Sequence, residues 1–402
     1  MPLASSSRTA VRYIPEATFG TTPVTGNPKA LRITGESLNF DVSKTMSNEI
    51  NAFRSVSSMV PVDASASGDL NGEFQYAEYD ALIQAVLNST FAVVGTNGVS
   101  AAISTTFTAT TVAGTGVGTG LKAGQFFYAD ATGNTAIDKV LLRASKSVAP
   151  TANLITLDAS TPSAVGGPYA ATVIKSSRLT NGTTQSQYTI ERESQDIGEF
   201  FAFRGMTPSK MSLSIGSGAL TTSNFSFMGK DAVRAAATTL PGTPVASQAY
   251  DAMSGVSGTS CALWEGGVPI TGTFVKSIKL DYDNTLRAQG ALCTLGAVAI
   301  GSGSIVCKAS AEIYFSSGAQ FFSKFKANTN TEIVFTAFDG VGNGYVFTLP
   351  SANISSYKVN AGGKDTDMLV TVELTALRDA SNSDSTLRQV LFIDRIGAAV
   401  VP

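Results

Sequence analysis

The sequence predicts a mainly β protein. Two tandem β-barrel or β-sandwich units each carry one flanking α-helix, and a small β domain is inserted into the first unit. Three observations lead to this fold class. Apolar and polar residues alternate with the period of half-buried strands in many short segments. Two of these strands run directly into apolar residues at helical spacing. The order strand, long segment, strand, helix occurs twice in the 402 residues, which indicates a duplication.

The first copy of this order lies near the N-terminus. The pattern predicts a strand over 38–42, a long polar segment over 44–67 and a second strand over 68–76. A short helix follows, because apolar residues then recur at helical spacing and Glu78 and Asp80 lie in the first turn, where the helix dipole favours acids. The residues expected to pack this helix on its unit are Tyr79, Leu82, Ile83 and Val86.

The second copy lies in the C-terminal half. Residues 278–285 align with 38–45, a similarly long segment spans 286–306, and 307–315 alternate as a strand. Helical spacing then resumes, and the second helix closes on Ala-Asn-Thr-Asn where the first closes on Leu-Asn-Ser-Thr. The residues expected to pack the second helix are Phe321, Phe322 and Phe325.

Three further predicted strands complete each unit and define the segment boundaries. The Gly-rich stretch 113–120 lacks the Lys-Ser/Thr pair of a phosphate-binding loop and precedes a strand, so we interpret it as a turn or flexible connection. The predicted segments are 1–95 (first unit, first part), 96–178 (inserted β domain, on the outside), 179–235 (first unit, second part), 236–272 (connection) and 273–402 (second unit).

Charge is the unusual feature of the composition. Only 14% of residues are charged, against about 25% in an average soluble protein. A surface with so few charges favours association, which predicts that much of it is buried against copies of the same chain. The alternative is a surface solvated by Ser, Thr and Asn, which are also abundant. The net charge of −2 provides no basic field for nucleic acid.

The residue types exclude most catalytic chemistry. The chain has no histidine, which removes the commonest general base and metal ligand. The cysteines are far apart and are expected to be buried free thiols, so neither zinc nor a cofactor is predicted. The acids near Arg192 are interpreted as a solvated or salt-bridged face. The cysteines are Cys261, Cys293 and Cys307, and the acids are Glu191, Glu193 and Asp196.

No membrane segment is predicted. The first eight residues contain no apolar h-region of a signal peptide. The longest uncharged run, 288–307, is interrupted by glycines and hydroxyl residues and is not a membrane helix. These features predict a soluble protein made in a cytoplasm.

Several stretches resemble the major tail proteins, or tail tube proteins, of siphophages. Glu16-Ala-Thr-Phe-Gly-Thr-Thr-Pro23 is similar to the opening of many of them. So are Arg54 with Val60-Pro-Val-Asp63, the stretch Ser67-Gly-Asp-Leu-Asn-Gly-Glu-Phe-Gln-Tyr-Ala-Glu-Tyr-Asp-Ala-Leu-Ile83, and the stretch 188–206. The resemblance covers most of the first half and the beginning of the second. The insert and residues 231–272 depart from the family pattern.

The resemblance implies a structural virion protein rather than an enzyme. Tail tube proteins are β-barrels with a flanking helix that form stacked rings around a channel for double-stranded DNA, and neighbouring sheets join edge to edge. Their expected partners are further copies, the tape measure protein and the tail terminator and tip proteins, and assembly is expected in the host bacterial cytoplasm. Because single-unit members form six-fold rings, a duplicated chain predicts a ring of three copies with pseudo-six-fold symmetry, favoured over a hexamer.

The two long segments, 44–67 and 286–306, are expected to reach the adjacent ring. The alternative is that they are ordinary surface loops. Because DNA must slide, the channel wall is expected to be neutral to acidic. The residues expected to make inter-ring contacts are Phe53, Arg54, Val56, Met59, Leu292, Leu295 and Ile300.

Three other functions compete with this one. A virion decoration or tail fibre protein shares the β-rich, weakly charged composition, although fibres typically show shorter repeats. An outer-membrane barrel would need sustained lipid-facing alternation, which is absent from the sequence. A tail-borne glycan hydrolase would need a paired-carboxylate cleft that the sequence does not indicate. The external insert is a candidate for binding host glycans.

Overall fold

A computed structural model describes residues 3–92, 103–107, 110–131, 140–158, 168–256, 263–270, 274–315, 320–380, 382, 384 and 387–397. It is mainly β, with 52% strand and 5% helix, which confirms the predicted fold class. The described strands form large open sheets consistent with a β-sandwich, and none of these sheets closes into a barrel.

The elements are as follows in chain order. The first part of the chain contains β1 (Thr9–Glu16), β2 (Lys29–Leu31), β3 (Gly35–Glu36), β4 (Asn39–Met46), β5 (Met59–Glu73) and α1 (Asp80–Val86). The middle part contains β6 (Ile103–Phe107), β7 (Thr111–Ala113), β8 (Phe126–Ala131), β9 (Val140–Arg143), β10 (Leu154–Thr156), β11 (Pro168–Lys175), β12 (Ser177–Thr180), β13 (Gln187–Ser194), β14 (Glu199–Gly216), β15 (Thr222–Gly229) and β16 (Asp231–Ala235). The last part contains β17 (Leu263–Glu265), β18 (Val268–Pro269), β19 (Val275–Asp283), β20 (Arg287–Gly290), β21 (Ala297–Gly301), β22 (Val306–Tyr314), α2 (Gln320–Ala327), β23 (Thr331–Phe338), β24 (Gly344–Asn360), β25 (Leu369–Ala376) and β26 (Phe392–Ile396).

One continuous antiparallel sheet, the long sheet, runs through both halves of the chain in the order β4-β5-β15-β14-β19-β22-β25-β24. We call β4, β5, β14 and β15 the N-terminal set, and β19, β22, β24 and β25 the C-terminal set. The strand order within the two sets is the same. The sets join where β14 pairs with β19.

A second layer covers one face of the long sheet. The long strands β14 and β24 cross from one layer into the other. The first half of β14 pairs with β13 and β16, and the first half of β24 pairs with β23 and β26. The hydrophobic core lies between the layers and is continuous across both sets.

Irregularities of the pairing recur at matching places in the two sets. The register between β14 and β15 shifts at Pro208/Lys210, and that between β24 and β25 shifts at Ile354/Ser356. When the residue pairs are followed from each bulge across its own set, Tyr282 of the C-terminal set corresponds to Phe40 of the N-terminal set. The sequence alignment matched Phe40 with Leu280 and was wrong by one step of alternation. Alternation has a period of two, so it cannot distinguish registers that preserve which face is buried.

The two helices follow the corresponding strands β5 and β22 and end in the same way. Asn88 and Asn328 have φ values of 52° and 51°, the left-handed conformation common just past a helix C-terminus. The next amide returns to the last turn in both cases. Ser89 N–H donates to Gln84 O and Thr329 N–H donates to the carbonyl of Lys324, each at 3.0 Å.

The two segments expected to be loops contain strands. Strand β4 continues to Met46 and β5 begins at Met59, so the first segment is a projecting hairpin with its tip at 47–58. The second segment contains the hairpin of β20 and β21. The sequence obscured the first hairpin because its outer parts are exposed on both faces. Such strands lack the apolar–polar alternation that burial of one face imposes.

The predicted insert contains a separate six-stranded sheet in the order β10-β7-β6-β11-β8-β9. Val112, Phe127 and Ile155 belong to a small core of its own. Although its strands lie between two parts of the N-terminal set in sequence, the sheet packs on β17, β23, β26 and the first half of β24. We call these strands the C-terminal layer. There Phe126 meets Trp264 edge to face, with ring centroids 5.6 Å apart.

Two buried ion pairs lie where the inserted sheet meets that layer, one from β9 of the inserted sheet and one from β12, which pairs with β26. The Arg143 guanidinium donates to both carboxylate oxygens of Glu332, at 2.8 and 2.5 Å. The Arg178 guanidinium donates to both oxygens of Asp394, at 2.7 and 2.6 Å. Bidentate pairs of this kind fix the orientation of the two parts as well as joining them.

The predicted connection and the acidic stretch behave differently from expectation. Strand β17 pairs with β23, so this part of 236–272 belongs to the C-terminal layer. Of the acids expected on a solvated or salt-bridged face, Glu191 is buried and accepts hydrogen bonds from Thr238 and Thr239. Glu193 and Asp196 do form ion pairs, with Arg12 and Arg8.

Candidate assembly surfaces

The outer face of the long sheet is predominantly polar. Residues opposite each other on antiparallel strands point to the same face, so the register defines rows of side chains. Within one row, Asn224 donates to the side-chain oxygen of Asn71 at 2.7 Å, and Ser212 donates to Asp281. That row consists of Asn71, Asn224, Ser212, Asp281, Lys308 and Thr375.

Charges on this polar face are acidic on balance. Lys210 lies 2.8 Å from Asp283, whose hydrogen bond and charge raise the pKa of the lysine, and Lys279 lies 3.0 Å from Asp281. The register places more carboxylates than lysines on the face, and no arginine in its described strands. The carboxylates are Asp41, Asp63, Asp69, Glu73, Asp281, Asp283, Glu312 and Glu373, and the lysines are Lys44, Lys210, Lys279, Lys308 and Lys358.

The junction between β14 and β19 shows how one set joins the next. Seven consecutive residue pairs run from Lys210↔Asp283 to Gly216↔Ser277. On the core face, buried Met211 lies opposite buried Tyr282. The junction therefore combines backbone pairing, continuous core and an ion pair on the polar face.

The long sheet ends in two strands that are open on one side. Among the described residues, β4 pairs in the long sheet only with β5, and residues 353–360 of β24 pair only with β25. Each open strand carries a half-buried aromatic side chain at the edge of the core, Phe40 on β4 and Tyr357 on β24. These positions correspond to Tyr282 and Met211, which face each other across the internal junction.

Helix α1 is covered within the chain. The residues predicted to pack it are all buried, including Tyr79 just before its first turn. Residues from the C-terminal half of the chain contact both ends of α1. The side-chain amide of Asn284 donates to Val86 O at 2.5 Å, while Tyr345 O–H donates to Asp80 at 2.5 Å and Arg395 forms an ion pair with the same carboxylate.

Helix α2 occupies the corresponding place but is only partly covered. Phe321 is buried, whereas Phe322 and Phe325 remain 50% and 37% exposed. Both rings contact Tyr357, with centroids 5.4 and 6.5 Å apart, which leaves their outer sides in solvent. Half of the predicted packing face of this helix is therefore uncovered in one chain.

The residues expected to contact an adjacent ring divide into two groups. Phe53, Arg54, Val56 and Met59 are exposed on the first hairpin, and Leu292 and Leu295 are exposed on the second. Ile300 is only 5% exposed, so it does not fit the predicted role. It lies on β21, which packs beside β15 and buries it within the chain.

The described cysteines are not equivalent. Cys307 is buried as expected, and burial raises the pKa of its thiol to about 12, with the nearby Asp281 carboxylate adding to the effect. Cys293 is exposed at the tip of the second hairpin, so the expectation of a buried thiol is wrong there. Cys261 lies outside the described residues.

Metal ligands and membrane-spanning helices would indicate other functions. Within the described ranges, His, Cys, Asp and Glu form no group of three that could hold a metal ion. Neither described helix has the length or apolarity needed to cross a membrane.

A comparison with protein families agrees with these surfaces. The family model for the phage tail tube protein matches residues 6–376, nearly the whole chain. The chain belongs to the phage tail tube protein family. No curated protein matches it. The resemblance seen in the sequence is thus confirmed, and this tail tube protein is a structural component of the virion tail.

Membership gives the surfaces a context. Tail tube proteins assemble as stacked oligomeric rings, so open strand edges, uncovered aromatic rings and projecting hairpins are expected on a single chain. The sequence analysis did not identify the polar face. Alternating Ser, Asn and Asp along β5, β14 and β15 was the available signal, but only the register brings these residues into one surface.

Proposed function

We propose that three copies of this tail tube protein form each ring of the tube, and that the stacked rings conduct double-stranded DNA during ejection. The observation that carries the proposal is the internal junction between β14 and β19. One chain already contains two equivalent four-stranded sets joined edge to edge, with the same open strands left at either end. Three such chains supply the six sets of a closed, pseudo-six-fold ring.

In the proposed ring, β24 of one copy pairs with β4 of the next as β14 pairs with β19. Transferring the internal register places Tyr357 opposite Phe40 of the neighbour and Lys358 opposite Asn39. The junction removes both open edges and joins the half-buried aromatic side chains into one core. It also brings the neighbour beside the exposed sides of Phe322 and Phe325 on α2.

The polar face is the proposed channel wall. Serine, threonine and asparagine carry no positive charge that would bind DNA phosphates strongly. The excess of carboxylates also opposes adhesion, which grows with the number of Lys and Arg contacts. The opposite face of the long sheet is the apolar core and is unsuited to a wall. This assignment supports the expected neutral-to-acidic channel.

Ring stacking is proposed to use the hairpin tips. Phe53 and Leu292 are among the most exposed apolar residues of the chain, and each lies near the tip of a hairpin. Replacing both with Ser should give rings that do not stack, because both residues lie outside the strand junction that closes a ring. The tape measure, terminator and tip proteins are the proposed partners at the ends of the tube, and assembly is proposed to take place in the host cytoplasm.

Electron microscopy of the concentrated purified protein tests the proposal. Negative-stain images at several salt concentrations should show stacked rings or hollow tubes with a channel wide enough for duplex DNA. Class averages should show three chains per ring. Six equivalent chains would refute the copy number, and solid fibres or particles that never assemble would favour a fibre or decoration protein.

A charge reversal tests the channel face. Asp69→Lys should make assembled tubes bind added double-stranded DNA, with binding that weakens steeply as salt rises. Asp251→Lys is the matched control, since Asp251 is exposed but lies outside the long sheet. Equal DNA binding by the two variants would contradict the assignment of the polar face to the channel.

A further inference from the structure

The two hairpins occupy matching positions in the two sets. The first lies between β4 and β5 and the second between β19 and β22, strands that correspond in the long sheet. Each hairpin has a residue with left-handed φ near its tip, Arg54 at 58° and Gly296 at 85°. After these residues the two segments correspond residue by residue, because Met59 precedes buried Ala66 by as many residues as Ile300 precedes buried Cys307.

The second hairpin is seated on the N-terminal set of its own chain. Its residues Ala297 and Ile300 are each only 5% exposed, and β21 lies beside β15. The backbone packs closely there. A Cβ added to Gly296 would lie 2.9 Å from the carbonyl oxygen of Ala64 and 3.4 Å from that of Lys230. Leu295, the residue before Gly296, is exposed. The second hairpin therefore has a buried base and an exposed tip.

The first hairpin has no such seat within the chain. Val56 and Met59, the counterparts of Ala297 and Ile300, are 59% and 52% exposed. Val60 is exposed beside them. The same position in the repeat is therefore buried in one hairpin and exposed in the other.

The corresponding place on the C-terminal set receives no hairpin from the part of the chain that the structure describes. Leu377 follows β25 as Lys230 follows β15, and Ile305 precedes Cys307 as Ala64 precedes Ala66. Ile305 is a half-buried apolar residue packed against the core, and Leu377 is an exposed apolar residue at this end of the strands. An apolar surface thus lies where the internal counterpart receives a hairpin.

We propose that the base of the first hairpin, Val56 to Met59, seats on Ile305 and Leu377 of the neighbouring copy in the same ring. The occupant is a second copy of this chain, because the strand junction that brings the hairpin there continues the pattern of the internal junction. The inference rests on the proposed ring. It divides the hairpin between two tasks, since the base closes the ring and the tip around Phe53 meets the next ring.

Cross-linking tests the seat. The variant Ser55→Cys/Leu377→Cys, in a chain with Cys261→Ser and Cys293→Ser, should form disulfides between copies when tubes are oxidised, because Ser55 is the counterpart of Gly296. Leu377 corresponds to Lys230, the residue that approaches Gly296 in the internal seat. On a non-reducing denaturing gel the ladder should stop at three chains, because bonds around one ring of three connect no more. Ser55→Cys/Val341→Cys is the control, with the second cysteine on the exposed turn between β23 and β24.

The outcomes separate the seat from the proposed ring. Tubes without cross-links, or a ladder that continues without a limit, would overturn the seat, since the latter means that the hairpin bonds across rings. A ladder that stops at six would keep the seat and refute the three-copy ring. A chain that forms no tubes at all would refute the proposed function and the seat together.

A charge swap provides a second measurement that needs no disulfide. Met59→Lys and Leu377→Glu should each raise the concentration required for ring formation about tenfold, as expected for loss of a contact near the centre of an interface. The double variant should restore most of the loss, because the new charges face each other. Val24→Lys, on an exposed apolar residue far from the hairpin in sequence, should have no effect. A double variant as defective as the two losses combined would contradict the pairing.

Discussion

Helices α1 and α2 have the same place in the repeat and the same C-terminal geometry, yet one is buried and the other is half exposed. Asn284 after β19, Tyr345 on β24 and Arg395 on β26 cover the ends of α1. The equivalent residues for α2 would have to come from another molecule. The chain thus contains one finished junction and one unfinished junction.

This difference teaches what assembly must supply. The strand junction, the helix cover and the hairpin seat are all present inside the chain between the N-terminal and C-terminal sets. All three are missing at the outer end of the C-terminal set, where Tyr357, Phe322 and Leu377 remain exposed or half exposed. Matched substitutions at the two junctions should therefore differ in whether they affect folding or assembly.

The largest difference is expected for the aromatic pair Tyr282 and Phe40. Tyr282→Ala should lower the free energy of unfolding by about 3–5 kcal/mol, because it empties a buried site and leaves the Asn181 amide without its partner. Phe40→Ala should lower it by only about 1 kcal/mol but should prevent ring formation. Urea unfolding and electron microscopy measure the two effects. Equal loss of stability would show that the positions are not counterparts.

A second large effect concerns the buried ion pair between Arg143 of the inserted sheet and Glu332 of β23. Glu332→Gln should destabilise the protein by about 3 kcal/mol, because it removes the bidentate partner of buried Arg143 and leaves only the more distant carboxylate of Asp158 at 3.7 Å. Glu312→Gln, on the polar face, is the control and should change stability by less than about 0.5 kcal/mol. Differential scanning calorimetry would distinguish them, and similar melting temperatures would contradict the structural role of the buried pair.

The same ion pair predicts a pH dependence. Burial raises the pKa of Glu332, but its hydrogen bond with Arg143 and the charges of Arg143 and Lys146 outweigh burial and leave it lowered. A lowered pKa in the folded state means that the stabilisation is complete above the ordinary glutamate pKa and is lost as the pH falls through the lowered value. Acid unfolding of Glu332→Gln should therefore show a weaker pH dependence than that of the unmodified protein. Identical profiles would argue against this group.

A smaller effect is expected at α2. Phe322→Ser should change the free energy of unfolding by less than about 0.5 kcal/mol, since half of the ring is already in solvent. It should raise the concentration needed for assembly about tenfold, which corresponds to about 1.4 kcal/mol per junction. Leu82→Ala on α1 should do the reverse and cost about 2–5 kcal/mol of subunit stability. Sedimentation of serial dilutions would measure the first effect and urea unfolding the second.

The smallest perturbation is thiol labelling. Cys293 should react rapidly in free chains and slowly in tubes, because the hairpin tip meets the next ring. Cys307 should stay unlabelled in both forms, since it is buried and its thiol pKa is raised to about 12. Mass spectrometry after brief exposure to iodoacetamide gives both rates. Undiminished labelling of Cys293 in tubes would exclude the tip of the second hairpin from stacking.

Local elements were predictable from the sequence because their signals are local. Apolar residues at helical spacing predicted the helix around Leu82, and Asn88 indicated where it ends. The insert's docking on Glu332 and Asp394 was not predictable, since it joins residues far apart in the chain. An edge strand and a central strand also show the same alternation. Nothing local to β19 therefore indicated that it pairs with β14.

The candidate surfaces were predictable only in part. The exposed apolar residues of the first hairpin, such as Phe53 and Met59, were found because an apolar residue in a polar segment is conspicuous. Ile300 has the same composition around it, but its neighbour β15 comes from the other half of the chain and buries it. The sequence could not distinguish the finished from the unfinished junction, because that depends on which end of the molecule each occupies.

The internal pairing of β14 with β19 has a kinetic consequence. In a ring of three such chains, alternate junctions close within a single molecule as it folds, so their formation does not depend on protein concentration. Nucleation of a ring then requires encounters among three bodies instead of six. At the low concentrations that prevail early in synthesis, covalent linkage of two sets would start tubes sooner than separate sets could.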